Sequence, residues 1–142
     1  MIGGNILTSL HDNTEIMLID FELVMWNPEY YDLGNYLNEW RCDYAHPDPS
    51  CPIKYYFENR ATEQDIRSLT KEYYVLLKQR AHPDFQFTDD TDETELKDAI
   101  TQVKQCMVLH DLFQALCPMM MMSEQDETNP ASFMWEYIRG RC

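Results

Sequence analysis

The chain has 142 residues, 44% of them hydrophobic and 13% aromatic, with a formal charge of −14. That length suits one domain with a real core, and that apolar content excludes a disordered chain. The acidity excludes a general affinity for nucleic acid or for an anionic membrane face, and no apolar run approaches the ~20 residues of a membrane span.

The first residues carry neither a basic flank nor an apolar stretch of signal-peptide length. The five cysteines, Cys42, Cys51, Cys106, Cys117 and Cys142, are odd in number and irregularly spaced, which reads as free thiols in a reducing compartment. A cytoplasmic protein is therefore expected. Residues 5–9 and 15–21 are short apolar runs on either side of a turn-forming cluster, His11-Asp12-Asn13-Thr14, and predict a β-hairpin. From 30 to 44 the pattern becomes helical, with Leu33, Leu37, Trp40 and Tyr44 on one stripe. Three prolines within 47–52 predict an irregular loop.

Thr62 reads as the cap of a second helix, whose stripe is Ile66, Leu69, Tyr73, Leu76 and Leu77 and which Pro83 bounds. The acidic stretch 84–98 holds seven acids against Lys97, and its core 89–95 reads as a solvated loop. It is no calcium loop, since the glycine and final glutamate of that motif are missing. Leu96, Ile100, Val103, Met107, His110 and Phe113 then predict a helix that ends before Pro118, and Asn129-Pro130 opens a last one over 131–139. The expected fold is α+β, mostly α: a short hairpin followed by about four helices. Within it His110 reads as a core or pocket-wall residue. Met119 to Met122 read as adaptable packing or a mobile surface turn. Cys42, His46 and Cys51 lack the second pair that a zinc finger needs.

The chemistry concentrates between Asp20 and Asp48. Seven carboxylates (Asp20, Glu22, Glu29, Asp32, Glu39, Asp43, Asp48) stand there against one cation, Arg41, interleaved with seven aromatic rings. Carboxylates beside ring faces suit an organic cation. Acids at the end of a strand suit Mg²⁺, which takes hard oxygen ligands. An aromatic core with a solvated acidic face accounts for the same composition. Asn5 opens one strand and Asp20 follows the other, the pair of residue types with which kinase-type phosphotransferases hold metal.

Gly4-Asn5-Ile6-Leu7, Leu18-Ile19-Asp20-Phe21-Glu22, Asn27, Tyr31-Asp32-Leu33-Gly34-Asn35-Tyr36-Leu37-Asn38-Glu39-Trp40 and Asp43-Tyr44 follow one another at separations that resemble the choline/ethanolamine kinases. The resemblance covers 4–44 and, less closely, the helix start at Ala61-Thr62-Glu63-Gln64. It implies the C-terminal lobe of a protein-kinase-like phosphotransferase over residues 1–142, with Mg²⁺ as cofactor, ATP as co-substrate and choline or ethanolamine as acceptor. It implies catalytic and metal roles for Asn5 and Asp20, and a metal role for Glu22. Asp32 would brace the catalytic loop, and Glu39, Tyr44 and Phe113 would line the pocket for the amine.

The departures also carry expectations. The family's base, the aspartate of an H-N-D motif, would fall before residue 1, as would the nucleotide lobe. The chain is therefore expected to be a fragment that is inactive alone. Its alternative is a non-catalytic lobe that dimerises or regulates a kinase. Leu23, Phe113 and Leu116 stand where the family places tyrosine or tryptophan rings. Lost ring faces weaken a trimethylammonium more than a primary ammonium, which tilts the expectation toward ethanolamine unless Trp135 or Tyr137 restores the cage.

Overall fold

The computed structural model describes residues 5–9, 15–20, 26–45, 54–88 and 91–123, with Thr91 and 117–123 described through their backbone alone. β1 (Ile6–Thr8) pairs antiparallel with β2 (Ile16–Leu18) in the register Ile6↔Leu18, Leu7↔Met17, Thr8↔Ile16. Backbone bonds from Ser9 to Glu15 and from Ile19 to Asn5 extend the ladder at both ends. Leu7, Ile16, Met17 and Leu18 are exposed.

α1 (Tyr31–Glu39) begins at a turn closed by Tyr31 on Pro28, with Asp32 in the first turn, where a carboxylate meets the positive end of the helix. Nine residues are too few for a stable isolated helix, so packing supplies the rest. Leu37 is fully buried, and Gly34 lets α1 approach the third helix closely: a Cβ there would stand 2.9 Å from the backbone nitrogen of Met107.

The helix expected over 30–44 stops at Glu39. β3 (Cys42–Asp43) pairs instead with β4 (Lys54–Tyr55), so a long-range ladder ends the helical stripe; the loop expected over 47–52 lies outside the described residues. A 3₁₀ turn, Phe57–Asn59, leads to α2 (Glu63–Ala81). Thr62 caps α2 as expected: its hydroxyl accepts from the Asp65 amide, and the Asp65 carboxylate accepts from the Thr62 amide at 2.8 Å. The buried face of α2 is Ile66, Thr70 and Tyr74, with Leu69, Tyr73 and Leu77 half-buried beside it; Leu76 points to solvent.

α3 (Thr91–Ser123) is the common partner of α1 and α2, about 50 Å long at 1.5 Å per residue. It begins inside the stretch expected to be a solvated loop. Asp92 is buried and accepts from the Thr88 amide and hydroxyl. Glu95 takes the Tyr74 hydroxyl at 2.8 Å and Lys78 at 2.5 Å, and Glu93 pairs with Arg67. Acids in a first turn favour the helix electrostatically, and their partners on α2 lie far away in sequence. α3 also continues through Pro118, where the sequence pattern predicts its end, and the backbone of 119–122 remains helical. A proline costs one hydrogen bond and about 3 kcal/mol, which the rest of a long helix can offset. Leu96, Ala99, Val103, Cys106, His110 and Ala115 face inward, while Phe113 is half exposed. The described residues thus hold two small hairpins and three α-helices. The helix expected over 131–139 lies outside them. None of the described helices is long and apolar enough to cross a membrane.

Candidate functional site

The hairpin register brings the ends of its strands together. Asn5 Nδ2 donates to Asp20 Oδ2 at 2.9 Å. Asp20 has φ = 70°, the left-handed region that aspartate and asparagine tolerate better than most residues, and its side chain is exposed. With the amide nitrogen of Asn5 turned to Asp20, the amide oxygen and the carboxylate are the hard donors left at this edge. Mg²⁺ is usually held by one or two protein groups plus waters and phosphates, so this donor set fits that ion. Among the described residues no cluster of three or more His, Cys, Asp or Glu side chains forms, and Glu22 lies outside them.

A second pair forms at the end of α1. Glu39 is buried, and the Tyr44 hydroxyl donates to its Oε2. The turn between them is set by the β3–β4 pairing and by the Tyr56 amide, which donates to the Arg41 carbonyl at 2.8 Å. Tyr36 and Trp40 stack edge-to-face at 5.9 Å on the same short helix and turn. Phe113 stands on the solvent side of α3, and Asp32 is exposed and makes no hydrogen bond among the described residues. Leu23, Trp135 and Tyr137 lie outside the described residues.

The sequence pattern missed a polar cluster behind Glu39. Asn38 donates to the Met107 carbonyl at 2.7 Å and to Asp111 at 3.2 Å, and Arg41 pairs with the same Asp111 oxygen. Its one visible signal was Arg41 itself, a single cation among seven carboxylates. His110, fully buried, meets the Tyr31 ring edge-on at 6.1 Å and Gln114 at 3.3 Å. Burial pushes the Tyr31 phenol and the Cys106 thiol above their ordinary values. A groove of about 280 Å³ beside the cluster is lined by Arg41, Arg60 and Lys104 against Glu63 and Asp111. Three cations against two acids do not suit an amine in that groove.

No curated protein matches the chain. The sequence model of the choline/ethanolamine kinases matches residues 1–139, which takes in both paired edges and all of α3. On that match, the protein belongs to the choline/ethanolamine kinase family.

Proposed function

We propose that this lobe carries the metal-holding and amine-holding half of an ATP-dependent choline or ethanolamine phosphotransferase that serves phospholipid head-group synthesis in the cytoplasm. The reading is supported above all by the pairing of the motif residues: Asn5 with Asp20, and Glu39 with Tyr44. Glu39 is a buried carboxylate, and a buried carboxylate beside a phenol is an acceptor for an ammonium head. Asn5 and Asp20 would hold Mg²⁺, which when bound neutralises phosphate charge. The acceptor hydroxyl would lose its proton to an aspartate from a segment preceding residue 1, as its oxygen bonds to the γ-phosphorus and ADP departs.

The test is an assay of the 142-residue chain for ATP consumption and for amine binding. The expected result is binding of choline or ethanolamine that weakens in Glu39→Gln, with no ATP turnover above background. Absence of amine binding would overturn the reading, and turnover by this chain would overturn the assignment of the base to a preceding segment.

A further inference from the structure

Glu39 is the last residue of a helix too short to stand alone, and no basic side chain in its last turn meets the carbonyl end. What fixes that end lies on α3. Gly34 brings the two backbones together at Met107, and Asn38, one turn later on α1, donates to the Met107 carbonyl. One turn further along α3, Asp111 accepts from both Asn38 and Arg41. Arg41 therefore belongs to two supports. Its side chain is tied to α3, and its carbonyl takes the Tyr56 amide beside the ladder that leads to Tyr44. The Arg41 and Asp111 side chains retain only 14% and 22% exposure, so water screens this pair less than a surface ion pair.

We infer that Asn38, Arg41 and Asp111 form a clamp that fixes Glu39 and Tyr44 as a single acceptor for the amine, with Asp111 its positioning residue. The inference rests on the amine-site reading given above. The two residues that would meet the amine, Glu39 and Tyr44, flank Arg41 in sequence and are joined to each other. A shift of the 40–45 turn would separate the carboxylate from the ring. Asp111 has no need to touch the amine, since its Oδ1 is already shared by two donors.

Choline and ethanolamine are titrated into the 142-residue chain as wild type, Glu39→Gln, Asp111→Leu, Asp111→Asn, Arg41→Met and Val103→Ala, with a melting curve for each. Asp111→Leu is expected to weaken amine binding about tenfold, as loss of a shielded charge-assisted acceptor does. Asp111→Asn keeps an oxygen for Asn38 and Arg41 and recovers most of that loss. Arg41→Met keeps the packed stem and reads the same loss from the other side of the pair, whether or not Asp111→Leu folds. Val103→Ala opens the core one turn of α3 before Met107 but removes none of the clamp's hydrogen bonds, so it lowers the melting temperature and leaves affinity within about twofold.

Wild-type affinity in Asp111→Leu or Arg41→Met, alongside weak binding in Glu39→Gln, overturns the clamp and leaves the amine site standing. An equal loss in Val103→Ala also overturns it, because general stability would then account for the effect. Wild-type affinity in Glu39→Gln, or no binding by the wild type, overturns the amine site and the clamp with it.

Discussion

Asn5 and Asp20 are fifteen residues apart in sequence, yet the Asn5 amide donates to the Asp20 carboxylate at 2.9 Å. The hairpin register accounts for this: Ile6 faces Leu18, Ile19 donates to the Asn5 carbonyl, and so Asp20 falls beside Asn5 at the open end of the ladder.

Asp20→Asn tests the metal reading cleanly, because asparagine tolerates φ = 70° as well as aspartate does. The side chain is exposed, so unfolding free energy should change by no more than about 0.5 kcal/mol. Affinity for Mn²⁺, used as a spectroscopic stand-in for Mg²⁺, should fall at least about tenfold. Unchanged Mn²⁺ affinity in an electron paramagnetic resonance titration would place the metal elsewhere.

Gly34→Ala should destabilise the fold by about 1–3 kcal/mol, the usual range for overpacking. The added Cβ would meet the Met107 nitrogen at 2.9 Å and the Cys106 Cβ at 3.0 Å, and the first of these is backbone that cannot swing aside. Urea denaturation followed by circular dichroism measures the loss. A midpoint equal to wild type would mean that α1 and α3 do not approach this closely.

Tyr44→Phe keeps the ring and removes the hydroxyl that donates to Glu39. A buried carboxylate that loses a donor costs about 1–3 kcal/mol, so the urea midpoint should fall with the ring still in place. For the ligand, ethanolamine is expected to bind at least as well as choline, since Leu23 and Leu116 stand where the family likeness expects ring faces and Phe113 keeps only one of them. Choline bound tighter by tenfold or more in a calorimetric titration would reverse that order and point to Trp135 or Tyr137 as the missing wall.

The start of α3 predicts how stability depends on pH. The Thr88 amide holds the Asp92 carboxyl below its ordinary value, Arg67 does so for Glu93, and Lys78 for Glu95. A carboxylate whose folded pKa is depressed contributes stability above its unfolded value, and that stability is lost as pH falls through the folded one. The melting temperature should therefore hold between pH 7 and about 5 and decline below about 4. Asp92→Asn should lower the plateau and flatten the acid limb. An acid limb identical to wild type would show that Asp92 titrates alike in the folded and unfolded chain.

The sequence by itself determined the parts that depend on neighbours in the chain. Short apolar runs on either side of His11-Asp12-Asn13-Thr14 specify the first hairpin, and Thr62 with Asp65 specifies a capped start for α2. Leu96, Val103 and His110, three to four residues apart in multiples, mark the inward face of α3. The motif residues that became the two paired edges, Asn5, Asp20, Glu39 and Tyr44, were legible from spacing and family likeness alone.

Tertiary structure decided what depends on partners far along the chain. Cys42 pairs with Tyr55, and this ends α1 at Glu39 where periodicity alone would carry the helix on. Asp92, Glu93 and Glu95 look like a solvated acidic loop until α2 supplies Tyr74, Arg67 and Lys78, whose hydrogen bonds make those charges part of a helix start. Asn38, Arg41 and Asp111 carry no local signature because the two sides of their cluster are about seventy residues apart. Side-chain periodicity records which face of an element is apolar, but a polar group is committed only when burial removes its water. That removal happens between elements, where α1 closes on α3 at Gly34 and Met107.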